Sequence, residues 1–351
     1  MNVKITGLGS YIPEIVVPNT DFEKNTFLNA DGTPFPQDNS TIIKKFVAIT
    51  GIEERRYAPK HLNTSDLAQT AANLAIKNAG IDPETLDYII VSHNYGEVTN
   101  NKRQADMIPS VASRVKQKLG IKNNSCVAYD LIFGCPGWVE GVIHANAFIK
   151  SGIAKKCLVI GAETLSRMID PHDRDSMIYA DGAGAAIVEA TNDSGGILNH
   201  ESASFTVEES HYIFNNDTYH TKAHNKLYIK MYGRKIYEFA LTNVPLAMKK
   251  CLDQSPFNIS DVKKILIHQA NEKMDEAIVK RFYEMYDLEM PENIMPMCIN
   301  KLGNSSVATV PTLYNLIISG NLPPHQINKG DVLLLASVGA GMNINAIVYQ
   351  H

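Results

Sequence analysis

The chain has 351 residues, 44% hydrophobic and 20% charged, enough apolar material for two domains or one large fold of two halves. Its net charge of −4 gives no general reason to expect nucleic acid or a membrane surface as a partner. The start "MNVKITGLGSYIP" carries no apolar signal core, and the longest apolar runs, such as 332–341, are too short to span a bilayer, so a cytoplasmic protein is expected.

The polar stretch "NADGTPFPQDNST" (29–41) reads as a surface loop. Residues 65–80 place apolar side chains at helical steps, pass through the acidic turn of "IDPETLD", and enter an apolar strand ending in "VSHN". "LIFGCPGWVEG" (131–141) reads as a strand–turn–helix junction. Trp138, Val139, Val142, Ile143, Ala147 and Phe148 recur at three- and four-residue steps, and Pro136 suits a first helical turn. "KKCLVIGAE" (155–163) and "DGAGAAIVEA" (181–190) read as strands. The plan then recurs: a helix at 236–252, an acidic turn, and a strand ending in "LIHQAN" (266–271). Strands around a second Gly-Ala-Gly close the chain at 330–350. Helices alternating with buried strands predict an α/β fold, and duplicated halves put a site at the pseudo-symmetric centre.

Five cysteines are present, with no CxxC spacing and no Cys/His cluster of zinc-site spacing, which fits free thiols in a reducing compartment. Cys126, Cys157, Cys251 and Cys298 read as apolar packers. Cys135 differs: it falls just before a helix N-terminus, where unpaired N–H groups and the helix dipole favour thiolate. His268 ends an apolar strand beside the amides Gln269 and Asn271, a setting that fixes a tautomer but also suits a structural histidine. "KLGNSSVATVP" puts Asn304 in a tight turn entering a helix, where it also reads as a cap. The backbone N–H groups of "SVGAG" (337–341) follow a strand and suit an oxyanion. No metal site and no GxGxxG or phosphate-cradling loop is apparent.

Taken in order, "GCPG", "HQAN", "LGNSS" and "SVGAG" resemble the Cys, His, Asn and glycine-loop motifs of the beta-ketoacyl-ACP synthase III family. "GSYIPE" (9–14), "TGIEERR" (50–56) and "DPHDRDSMIYADGAGAA" (170–186) extend the resemblance over essentially the whole chain. It implies a thiolase-like five-layer α-β-α-β-α fold, with residues 1–190 as the half carrying the cysteine and 191–351 as the half carrying the histidine and asparagine. It also implies a homodimer, and no cofactor beyond the CoA or phosphopantetheine arms of the substrates.

The implied chemistry is a decarboxylative Claisen condensation. Cys135 takes an acyl group from a thioester primer, with its pKa lowered by the helix dipole. His268 and Asn304 donate to the thioester oxygen of malonyl-ACP while CO2 leaves. The N–H groups of Cys135 and Ala340 hold the second oxyanion, and Asn271 braces the histidine motif. Arg174, Gln269 and Ile108 are the expected substrate contacts, Ile108 standing where the family has an aromatic that crosses the dimer near the acyl pocket. A smaller side chain there admits a longer or branched chain. Lys45 and Ile49 stand near the family's CoA-gripping tryptophan and arginine, so the grip is altered and a carrier-bound primer becomes an alternative to acyl-CoA. Lys273, Lys280 and Arg281, at helical steps, are candidates for docking the acidic carrier protein, although an ordinary solvated face reads the same way. Two relatives stay open: a specialised condensing or acyl-transfer enzyme, and a hydroxymethylglutaryl-CoA-synthase-like enzyme using Glu97, whose plainer reading is a solvated loop charge. Ser337, where a thiolase has a second cysteine, argues against a thiolase.

Overall fold

A computed structural model describes residues 1–102, 104–220 and 226–351. The first half runs β1 (Asn2–Tyr11), β2 (Ile15–Pro18), α1 (Asn39–Thr50), β3 (Glu54–Tyr57), α2 (Thr64–Ala79), β4 (Tyr88–Ser92), α3 (Val111–Leu119), β5 (Val127–Leu131), α4 (Gly137–Lys150), β6 (Lys156–Thr164) and β7 (Asp181–Thr191). The second runs β8 (Gly196–Ser204), β9 (Ile213–Asn216), β10 (Tyr228–Met231), α5 (Gly233–Asp253), β11 (Val262–Ile267), α6 (Glu272–Glu284), α7 (Ile299–Leu302), α8 (Thr309–Ile318), β12 (Val332–Gly339) and β13 (Asn343–Gln350).

The strands form a sheet of order β1-β7-β6-β4-β5 and a second of order β11-β12-β13-β8. Written from the other end, the second is β8-β13-β12-β11, which repeats the first strand for strand and lacks only a partner for β5. Parallel and antiparallel pairings repeat as well: β4 runs parallel to β6 as β11 does to β12, and β7 runs antiparallel to β1 and β6 as β13 does to β8 and β12. The two Gly-Ala-Gly segments are not equivalent, contrary to the sequence reading. Gly182–Gly184 lies inside β7, whereas Gly339–Gly341 leaves the end of β12, whose counterpart is the end of β6.

Burial explains the layers. The central strands β6 and β12 are apolar on both faces, as strands covered by helices on both sides must be. Trp138 and Val142 of α4, Leu313 and Tyr314 of α8, and Val159 and Leu335 from the two sheets share one buried cluster, so α4 and α8 are the layer between the sheets. Helix α2 packs outside the first sheet with Leu67, Ala68, Ala71, Ala72 and Ala75, and α5 and α6 cover the second with Val244, Met248, Ile278 and Phe282. The alanine face lets α2 lie close on β1: a Cβ at Gly9 would sit 2.3 Å from the Ala71 carbonyl oxygen. These are the five layers predicted from the resemblance.

The strand ends are set by small local devices. The acidic turns before β4 and β11 are 3-10 turns, Pro83–Thr85 and Ile259–Asp261, the first capped by Asp82 and the second by an Asn258–Asp261 capping box. Each equivalent strand is followed at once by a histidine. His93 spends both nitrogens, Nε2 on Asp130 at 2.8 Å and Nδ1 accepting from the Gly96 N–H at 2.8 Å.

The 29–41 segment is only partly the solvent loop it reads as. Phe35 packs against the cluster of Phe22, Phe27, Ile42 and Met177, and α1 begins on the Asp38 cap. The ribbon β9–β10 is pinned to the first half by a buried ion cluster. Lys230 Nζ lies 2.6 Å from Asp170 and 3.1 Å from Asp173, and 3.3 Å from the Tyr219 ring centroid. No described helix is long and apolar enough to cross a membrane.

Candidate active site

A cavity of about 600 Å³ opens between the halves, and Cys135, His268, Asn304 and Ala340 all line it. Cys135 sits on the turn from β5 into α4. Gly134 holds φ +66°, and its carbonyl accepts from the Gly137 N–H at 3.0 Å. The turn meets the loop after β12 backbone to backbone. A Cβ at Gly134 would lie 2.7 Å from the Ala340 nitrogen, and one at Gly339 would lie 2.6 Å from the Cys135 nitrogen. Two Cβ-free positions thus bring the Cys135 and Ala340 backbones onto one floor.

His268 is held at the end of β11 by its own N–H to the Ala336 carbonyl at 2.9 Å. Its Nδ1 lies 2.6 Å from Thr309 Oγ1, and Thr309 donates to the Ser306 carbonyl at 2.9 Å. A hydroxyl has one proton. With that proton on Ser306, Thr309 accepts from Nδ1–H and leaves the His268 Nε2 lone pair for the cavity. Burial lowers the His268 pKa to about 3, so the ring is neutral. Donation from Nε2 therefore requires Thr309 to turn its proton to Nδ1 and release Ser306.

Asn304 Oδ1 accepts from the Ser306 N–H at 2.8 Å, which turns its Nδ2 donor the other way. Its backbone is clamped to the first half by Asn304 N–H to Ile178 and Ala180 N–H to Asn304, at 2.9 and 2.8 Å. The Ser306 hydroxyl lies 3.3 Å from Cys135 Sγ. Burial pushes the Cys135 thiol up to about 11, against the hydrogen bond from Ser306. The direction is opposite to the lowered pKa expected from the helix start, and its largest cause is loss of hydration.

Two profiles of one family match the chain: 3-oxoacyl-[acyl-carrier-protein] synthase III over residues 129–204, and its C-terminal segment over 252–351. A beta-ketoacyl-[acyl-carrier-protein] synthase III 1 of Halalkalibacterium halodurans is 34% identical over 340 residues, covering 96% of this chain and 95% of that protein. The chain belongs to the beta-ketoacyl-ACP synthase III family. A synthase III of Staphylococcus haemolyticus is 32% identical over 351 residues, covering 100% of this chain and 99% of that one. Among solved structures, the 3-oxoacyl-ACP synthase III of Aquifex aeolicus superposes with a TM-score of 0.81 at 28% identity, covering 99% of this chain and 100% of that one.

Other predicted residues of this chain fall in different places. Gln269 is not a substrate contact: it is 1% exposed and its amide is spent on the 296–298 segment, Oε1 accepting from the Cys298 N–H at 2.9 Å and Nε2 donating to Ile267 and Pro296. Asn271 caps α6, its Oδ1 accepting from the Met274 N–H at 3.1 Å. Arg174 lines the cavity mouth with its guanidinium 4.9 Å from the Phe35 ring centroid. Lys45 and Ile49 line the same mouth. Ile108 stands 86% exposed and outside the cavity of its own chain. Lys273, Lys280 and Arg281 are exposed on α6, whose N-terminal residues Asn271 and Met274 reach the cavity. Glu97 is not a solvated charge. It is buried and accepts from the Ser65 N–H and hydroxyl at 2.8 and 2.7 Å, so it serves the start of α2. Ser337 is wholly buried and outside the cavity lining.

Four polar groups at the site were given no role in the sequence reading: Ser306, Thr309, Asn94 and Glu163. Glu163 Oε1 accepts from Asn94 N and Nδ2 at 2.7 and 2.5 Å, and burial raises its pKa to about 7. Two had a faint signal, a lone polar or acidic residue in an otherwise apolar run: "VATVP" for Thr309 and "LVIGAETL" for Glu163.

Proposed function

We propose that the protein condenses an acyl thioester primer with malonyl-ACP through an acyl-Cys135 intermediate, releasing the primer's carrier thiol on acylation and CO2 on condensation and giving 3-oxoacyl-ACP. The observation that carries this reading is the meeting of Cys135, His268 and Asn304 at the floor of one cavity, with Ser306 bonded to two of them directly and to the third through Thr309. Cys135 attacks the primer thioester, and the Cys135 and Ala340 N–H groups take the oxyanion. Asn304 Nδ2, with His268 once Thr309 has turned, stabilises the enolate left by decarboxylation. No cofactor has a step in this scheme.

The primer arrives on a carrier protein. Phe35 already lies on the Arg174 guanidinium, and Ile49 offers no flat face to a nucleobase, which weakens a CoA grip at the mouth. The acidic carrier docks on the cationic rim formed by Arg174, Lys45 and Arg234 and on Lys273, exposed at the start of α6, with Lys280 and Arg281 about 10 Å further along that helix. The functional unit is a homodimer, with Ile108 crossing to the partner beside the open edge of β5.

Intact-protein mass spectrometry tests the reading. The protein is offered acetyl, branched and long acyl groups on CoA and on carrier, and then malonyl-ACP. The expected result is one adduct, absent from Cys135→Ser, that discharges into 3-oxoacyl-ACP. An adduct that never condenses refutes the condensing step, and no adduct from any donor refutes the nucleophile.

A further inference from the structure

Ser306 occupies the centre of the site and carries an unusual backbone. Its φ is +53°, a region that costs a non-glycine residue free energy and that persists where the surroundings hold it. Its three polar groups address three different partners. The N–H goes to Asn304 Oδ1, the carbonyl takes Thr309 and through it His268, and the hydroxyl faces Cys135 Sγ.

The direction of the hydroxyl follows from counting protons. Asn94 Nδ2 has two, one directed at Glu163 Oε1 at 2.5 Å and the other at Ser306 Oγ at 2.9 Å. A carboxylate at Glu163 only accepts, so it fixes which end of the Asn94 amide faces it. The Asn94 backbone N–H, donating to the same oxygen at 2.7 Å, holds the pair in place. Ser306 Oγ therefore receives a proton from Asn94, and its own single proton is free to point at sulfur. A protonated Glu163 reverses the logic: its O–H donates to the amide oxygen, the amide turns over, and Ser306 donates to Asn94 instead of to sulfur. His93 and Asp181 face Glu163, and Tyr95 and Tyr179 share the Cys135 surroundings with His268.

We propose that the Ser306 hydroxyl is the donor that stabilises the Cys135 thiolate, and that Glu163, acting through the Asn94 amide, fixes the direction of that bond. Ser306 is thereby a catalytic residue, in contact with the reacting sulfur, and Asn94 and Glu163 are positioning residues. The thiol is part-buried in the cavity wall, and this chain directs a donor at it there.

The inference rests on Cys135 being the nucleophile of the proposed function, but its test uses no acyl substrate. Iodoacetamide alkylation, followed by intact mass from roughly pH 6 to 10, reads the thiolate directly. Ser306→Ala is expected to slow alkylation at pH 7 by about tenfold. Ser306→Gly, which relieves the positive φ but also lacks the hydroxyl, is expected to lose as much. Asn94→Ala, which frees the hydroxyl to rotate, is expected to slow alkylation by about threefold. In acyl transfer, Ser306→Ala lowers kcat and leaves KM unchanged.

Alkylation of Ser306→Ala and Ser306→Gly at the parental rate across the pH range would overturn the proposal. So would recovery of the rate in the glycine variant alone, since the backbone and not the hydroxyl would then matter. Unfolded protein is recognised by several adducts, because Cys126, Cys157, Cys251 and Cys298 are buried. If the Ser306 variants do not fold, parental alkylation by Asn94→Ala overturns the proposal by itself. Normal alkylation in the parent without acylation would fault the proposed function and leave this inference standing.

Discussion

Gly339→Ala tests whether contact between two loop backbones sets the nucleophile. The added Cβ would lie 2.6 Å from the Cys135 nitrogen, 2.7 Å from Pro136 Cδ and 2.8 Å from Cys135 Cβ. The φ of Gly339 is −173°, extended backbone open to any residue, so the perturbation is steric and nothing else. The atoms it meets belong to the cysteine turn itself, not to the end of a flexible side chain. Restoring ordinary contact moves Cys135 by about 0.8 Å. Misplacement of a reacting atom by about 1 Å costs on the order of 10²-fold in rate. Overpacking of this kind costs about 1–3 kcal/mol of stability. The assay is rapid-quench formation of the acyl adduct, read by intact mass, beside a thermal melt. Acylation within threefold of the parent in a folded variant would refute the reasoning, because the turn would then yield without moving the sulfur.

Three further outcomes are expected. Thr309→Val strips His268 Nδ1 and the Ser306 carbonyl of their shared partner, at a cost of about 1–3 kcal/mol, and slows CO2 release from malonyl-ACP about tenfold while Cys135 acylation continues. Labelled CO2 release against adduct formation checks that split. Lys230→Met leaves Asp170 and Asp173 buried without their cation, which lowers the stability measured by denaturant titration by about 3–5 kcal/mol, with partial recovery on adding Asp170→Asn. Glu163 has its pKa raised from 4.5 to about 7 in the fold, so the folded state binds its proton more tightly than the unfolded one. The stability this contributes is complete below pH 4.5 and is lost as pH rises towards 7, by about 3 kcal/mol in all. Denaturation midpoints of Glu163→Gln across that range should lack this decline.

Much of the site was legible because its chemistry is written in short, local patterns. Small residues around Cys135, amides after His268 and the "GNSS" turn are unusual at the ends of apolar runs, and the structure brings all three to one cavity. What stayed hidden depends on distance along the chain. The surroundings of Cys135 include Gly339 and Ala340, some two hundred residues away, whereas the helix start that favours thiolate is adjacent and readable. Glu163 is a single acidic residue near the end of an apolar strand, Asn94 lies in the turn after β4, and both matter only because Ser306 arrives from the other half. Gln269 belongs to a readable motif, yet its side chain faces the 296–298 segment, which no spacing rule reports. The matching Gly-Ala-Gly segments misled because identical tripeptides occupied different strands of the repeat. Phe35 was passed over because the polar residues around it dominate its window.

The two histidines that follow β4 and β11 show what a doubled architecture permits. His93 has both ring nitrogens occupied within its own half, while His268 keeps one for the cavity. A single-copy protein has to make one imidazole serve as both brace and reagent. With the position doubled in one chain, the two tasks fall to two side chains. The braced copy still bears on the chemistry through its neighbours, since it faces Glu163 and directly precedes Asn94.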